Sequence, residues 1–91
     1  MVEKETIEGA IEGAIEGGTA AVKKRLTKLL LAIVTNERKR VPEYSEMTGI
    51  SPKTVERYMK ILRDHELIEF TDEASHIGGY ILHPKIRHII Q

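Results

Sequence analysis

The stretch Gly49-Ile50-Ser51-Pro52 constrains the chain more than any other. Gly tolerates the left-handed backbone that closes a helix. Ser followed by Pro opens one. The hydroxyl accepts from a free backbone N–H, and Pro at the first helical position lacks an N–H that would go unused there. One helix must therefore end near Thr48 and another begin at Pro52, with a sharp turn between them and Ile50 anchoring that turn in the core. Upstream, Pro42 fits the first turn of a short helix over 42–48, with Tyr44 and Met47 as its inward candidates at i, i+3. Downstream, Val55, Met59 and Leu62 recur at i, i+4, i+7 with Tyr58 beside them, which predicts a helix over 52–65.

The flanks complete the pattern. Val22, Leu26, Leu29, Leu30 and Ile33 lie on one face of a helix running from Ala20 to about Asn36, with Thr19 as its cap. The polar residues Asn36 to Arg40 end it. Leu31 falls outside the stripe, so a second neighbour such as another subunit is expected to cover it. After the 52–65 helix, Leu67 to Thr71 reads as a strand. Asp72 to Gly79 reads as a polar turn, and Tyr80 to Leu82 as a returning strand stopped by Pro84. Ile86, Ile89 and Ile90 suit a last helical turn within 85–91. The expected fold is mainly α with a small β-hairpin.

Residues 1–18 are of a different kind. IEGA, IEGA and IEGG repeat from Ile7 to Gly18. On a helix this period sets Ile7, Ile11 and Ile15 in one slanted stripe, with Glu8, Glu12 and Glu16 away from it. Each glycine costs such a helix about 1 kcal/mol relative to Ala. Two readings stay open: a helix that docks or self-associates, or a linker. The chain therefore divides into an acidic repeat segment, 1–18, and one small domain, 19–91.

The formal net charge is zero, but it is unevenly spread. Residues 1–18 carry five acids and one base. Residues 19–63 carry eleven bases and four acids, and residues 64–91 carry five acids and two bases. A basic centre of this size points mildly to nucleic acid. With no cysteine, disulfides, thiolate metal sites and cysteine nucleophiles are excluded. His65, His76, His83 and His88 show no metal-ligand spacing. No Gly loop carries the Lys-Ser/Thr of a phosphate cradle, and 91 residues leave little room for a catalytic pocket, so neither cofactor, metal nor enzymatic activity is expected. The longest apolar run, Leu29 to Val34, is far too short to span a membrane. The acidic, Gly-rich start lacks the pattern of a secretory signal, and a cytoplasmic setting is expected.

With Val55 at 0° on a helical wheel, Met59, Leu62 and Tyr58 fall within about 60° of it. Lys53, Arg57 and Lys60 fall at about 160°, 200° and 140°, on the opposite face. Cations concentrated away from the core suit DNA, where phosphate contacts give affinity and Arg reads guanine. The order helix, short helix, Gly turn, helix, hairpin is that of a helix-turn-helix followed by a wing.

The segment GISPKTVERYMKILRDHELIEF resembles the turn, recognition helix and first wing strand of bacterial winged helix-turn-helix regulators. The match lies at Gly49, Ile50, Ser51, Thr54, Val55, Arg57, Leu62, Leu67 and Ile68, and Gly78-Gly79-Tyr80 is similar to a second wing strand. Together with the Ile-Glu-Gly-Ala repeat and the Lys-rich helix, nearly the whole chain resembles the C-terminal end of one family. These are bacterial transcriptional regulators with an N-terminal Schlafen-like, AlbA-type ATP-binding domain, also called divergent AAA and often labelled helicase-related.

The resemblance implies a winged helix-turn-helix domain with a three-helix core and a wing. It implies double-stranded DNA as partner, with helix 52–65 in the major groove, and nucleotide binding only in a domain absent from this chain. Ser51, Lys53, Thr54, Arg57 and Lys60 are the candidate DNA-contacting residues. Lys23, Lys24 and Arg25 would add backbone contacts if their helix runs near the duplex. Two departures stand out. Tyr44-Ser45 replaces the usual Leu-Ala of the first helix of the motif, and the wing tip is acidic (Asp72, Glu73), with His76 as its one candidate cation. An acidic tip suits protein docking better than a DNA groove. The alternative reading is thus an interaction module, with a homodimer formed through the scaffold and the repeat.

Overall fold

The computed structural model describes residues 4–71 and 78–90. The order is α1 (Lys4–Ala14), α2 (Ala20–Thr35), α3 (Val41–Thr48), α4 (Pro52–Asp64), β1 (Ile68–Thr71), β2 (Gly79–Leu82) and α5 (Pro84–Ile90). The described chain is thus mainly helical with one two-stranded antiparallel sheet, compatible with an α+β fold of winged-helix-like type. No described helix is long and apolar enough to cross a membrane.

The helix ends follow from local chemistry. Thr19 takes an extended backbone, and its hydroxyl accepts from the Val22 N–H at 3.1 Å. Gly49 closes α3 at φ +74°, donating its N–H to the Ser45 carbonyl. Ser51 then opens α4 with Pro52 in the first turn. α4 itself ends in a Schellman turn: Leu67 N–H bonds the Leu62 carbonyl and Glu66 N–H bonds the Arg63 carbonyl. Glu66 takes the left-handed position at φ +57°, where glycine is usual.

One apolar cluster binds the elements together. α2 contributes Leu26, Leu29, Leu30 and Ile33, all fully buried. α4 contributes Val55, Tyr58, Met59 and Leu62, and the hairpin contributes Ile68 and Leu82. α3 contributes Tyr44, whereas Met47 is 44 % exposed. The expectation for Met47 is therefore corrected. The inner side of this short helix follows i, i+4, from Tyr44 to buried Thr48, whose hydroxyl bonds back to the Tyr44 carbonyl at 2.7 Å.

The repeat forms a helix that packs on α2 of the same chain. Ile7, Ile11 and Ile15 join the cluster. Burying an Ile contributes about 1.5–3 kcal/mol, while the two glycines within α1 cost about 1 kcal/mol each. Three isoleucines therefore outweigh Gly9 and Gly13. Gly17 and Gly18, both at φ near +78°, make the reversal into α2. Glu12 meets Lys23 across the pair at 3.3 Å. Leu31, beside α1, is half-buried.

The hairpin pairs Ile68 with Leu82, Glu69 with Ile81, Phe70 with Tyr80 and Thr71 with Gly79. Asp72, Glu73 and His76 lie outside the described residues. The segment after α2 adds a short bridge to the sheet edge. Arg38 N–H donates to the Tyr80 carbonyl at 2.8 Å, and Tyr80 N–H donates to the Lys39 carbonyl at 3.0 Å. Arg38 adopts φ +70° to do so. The approach is so close that a Cβ on Gly79 would fall against the Arg38 backbone, well inside van der Waals contact.

Tyr44 secures the same segment. Its hydroxyl donates to the Asn36 carbonyl at 2.6 Å and accepts from Lys39 N–H at 3.3 Å. Burial pushes this phenol up to about 12, so it remains a donor. Glu37 ties in the C-terminal helix, accepting from Leu82 N–H at 2.7 Å and from Arg87 at 2.6 and 3.2 Å. Burial alone would raise the Glu37 carboxyl. The Arg87 and Leu82 bonds and the charges of Arg87 and Arg38 outweigh it and hold the carboxyl below its ordinary 4.5.

Two outcomes follow from these contacts. Gly79→Ala overpacks the bridge and costs about 1–3 kcal/mol, measurable as a lower midpoint in urea. Glu37, its folded pKa lowered, stabilises fully above its ordinary value and loses that contribution as pH falls below about 4. Acid titration followed by circular dichroism should show this loss in wild type and a weaker one in Glu37→Gln.

Candidate nucleic-acid interface

α4 owes its two faces to its sequence. Its apolar side is pinned by Val55, Tyr58, Met59 and Leu62, so rotation about its axis would expose four large side chains. This fixes the other face toward solvent. Lys53, Arg57 and Lys60 are all exposed there, as is Arg63 in the last turn.

The cations differ in their freedom. Lys60 Nζ lies 3.4 Å from Asp64 Oδ2, an exposed i, i+4 pair. Such a pair is worth about 0.3–0.5 kcal/mol and yields readily to a phosphate. The Arg57 guanidinium sits 6.0 Å from the Tyr58 ring centroid, the outer limit of a cation–π contact. Lys53 makes no ion pair among the described residues.

The start of the helix is tied by its own hydroxyls. Ser51 Oγ accepts from Thr54 N–H at 3.4 Å and donates to Thr54 Oγ1 at 3.0 Å. Val55 N–H bonds the Ser51 carbonyl. Pro52 has no N–H, so Lys53 supplies the first outward amide of the turn, at the positive end of the helix dipole. Ser51 and Thr54 therefore act first as a cap, and contact with a ligand would compete with that role.

The bases outside α4 are less free than their number suggests. Lys23 is drawn to Glu12 and its side chain is only 21 % exposed, whereas Lys24 and Arg25 are exposed. Arg40 Nε donates to the Gly78 carbonyl at 3.1 Å, and its guanidinium lies 5.6 Å over the Phe70 ring. Arg40 thus holds the loop end of the hairpin, a role the sequence did not reveal. Two histidines are similarly engaged: His65 Nδ1 lies 2.9 Å from the Ile61 carbonyl, and His83 Nδ1 accepts from Lys85 N–H.

Compared with protein-family models, curated proteins and solved structures, the chain finds no match. Substitution can separate folding from surface chemistry on α4. Ser51→Ala should destabilise by about 1 kcal/mol through loss of the cap. Lys53→Ala and Arg57→Ala should each stay within about 0.5 kcal/mol of wild type. Urea midpoints of the three variants check both statements.

Proposed function

We propose that this chain is a winged helix-turn-helix domain that binds double-stranded DNA, as part of a bacterial transcriptional regulator. α4 enters the major groove as the recognition helix. The observation that carries the reading is the one-sided display of Lys53, Arg57 and Lys60 on a helix whose opposite face is buried and which follows a three-residue turn. The isolated Lys39–Tyr80 bridge, which lies along the free edge of β2, supports the winged-helix part of the reading.

Roles follow from side-chain chemistry. Lys53 and Lys60 neutralise phosphates as point charges, while Arg57, with its planar fork, suits the O6 and N7 edge of a guanine. Ser51 and Thr54 set the helix start that brings these groups to the duplex. The chain acts by binding rather than by catalysis, within the cytoplasm. Any nucleotide belongs to a domain outside these residues. Asp72 and Glu73 in the hairpin loop would repel phosphate, so affinity rests on α4 rather than on the wing. Because the formal net charge is zero, overall charge adds no attraction to this face, and one copy binds weakly.

Fluorescence anisotropy on a labelled duplex tests the reading. Affinity should fall as salt rises, with a slope of about −0.9 per phosphate neutralised. The double variant Lys53→Ala with Arg57→Ala should lose at least tenfold in affinity and flatten that slope by up to about two such increments. Absence of binding at low salt, or a double variant that binds as wild type does, would overturn it.

A further inference from the structure

Between α1 and α2 runs an open groove of about 460 Å³, with no residue of α4 in its lining. Along its middle the walls carry opposite charge. α1 contributes Glu8 and Glu12, one turn apart, with Lys4 at its start, and α2 contributes Lys23, Lys24 and Lys28. Buried Thr27 and half-buried Leu31 lie between them. The Glu12–Lys23 bond fixes the register of the two antiparallel helices. One turn further along each helix, Glu8 faces Thr27, and one turn beyond that, Lys4 faces Leu31.

Glu12 and Lys23 satisfy each other within the chain. Glu8, Lys24 and Lys28 are exposed and form no ion pair among the described residues. Where Glu8 and Glu12 of one row stand beside Lys24 and Lys28 of the other, the surface complements a copy of itself. A twofold axis parallel to the helices sets α1 of each copy over α2 of the other, so that Glu8 meets Lys28 of the second copy, twice over. An axis across the helices would lay α2 over α2, with Lys24 and Lys28 of one copy near those of the other, and is disfavoured.

We propose that this groove seats a second copy of the chain, forming an isologous dimer in which two helical hairpins make a four-helix bundle. The bundle covers Leu31. Sixteen residues of α2 span about 24 Å, and two helices are on the order of 20 Å wide. The buried surface is then on the order of 1,000 Å² over both copies, near the lower bound for a specific interface. The dimer therefore forms with rising concentration and loosens with salt.

Sedimentation equilibrium on the whole chain without DNA tests this independently of the DNA reading. At low salt the mass should rise from 10.3 kDa toward twice that value between micromolar and millimolar protein. Glu8→Lys alone and Lys28→Glu alone should each remain monomeric, since each juxtaposes like charges at both contacts. An equimolar mixture of the two variants should dimerise, because every contact in the mixed pair is again attractive. Circular dichroism verifies that both variants keep their helices. A wild type that stays monomeric throughout, a single variant that assembles as wild type does, or a folded mixture that fails to assemble would each overturn the proposal.

Discussion

The structure depends on the backbone bridge between Lys39 and Tyr80. α2 and α4 have apolar faces of their own, but a two-stranded hairpin is marginal in water without a surface to pack on. The bridge holds that hairpin against the end of α2. It rests on three features: a left-handed Arg38, a glycine at position 79 and a tyrosine at position 44 that bonds both Asn36 and Lys39. Each is costly or specific alone. Together they fix where β2 lies, and β2 carries Leu82 into the core and Phe70's partner Tyr80 over Tyr44.

Glu37 extends this junction by one step. Its carboxylate bonds a strand amide and a C-terminal arginine together, so α2, β2 and α5 meet on two oxygens. Burying part of a carboxylate is unfavourable, but three charge-assisted hydrogen bonds, two of them from a guanidinium, more than offset it. Arg87 in turn bonds the Leu82 carbonyl at 3.3 Å, which closes a small ring of polar groups beside the apolar core. Among the described residues, no buried side-chain polar atom lacks a partner.

These contacts mark the limit of what the sequence made legible. Thr19, Gly49, Ser51 and Pro52 announce helix ends through chemistry that acts within four residues, and the structure places caps or breaks at each. The stripe Val55, Met59, Leu62 likewise states its own buried face. Residues 36–40 read only as a polar stop, because the hairpin and C-terminal partners of Glu37 and Arg40 lie 38 to 50 positions away. Nothing in the spacing pairs Glu37 with Arg87. Met47 misled for a related reason: on an eight-residue helix, i+3 and i+4 both look inward, and Tyr44's hydrogen bonds decide the rotation. Helicity in the repeat was undecidable locally, since propensity opposed it and only contact with α2 supplied the balance.

The same division explains how a neutral chain can carry a locally basic face. Charges near one another in space cancel where the fold brings them together, as at Glu12–Lys23, Glu37–Arg87 and Glu66–Lys85. Each of these pairs joins distant parts of the chain, and the partly buried Glu37–Arg87 pair contributes most. Among the described residues, the cations of α4 are answered only by Asp64 at the last turn, through a pair whose side chains remain 77 % and 60 % exposed. Four buried side chains on the opposite side hold α4 in one rotation, so these cations sit on a rigid element rather than a loop. A surface fixed in this way loses little further conformational freedom when it meets a ligand, apart from that of the side-chain tips. Among the described residues, three acids thus neutralise bases that join elements, while the outward bases of α4 are left largely unanswered.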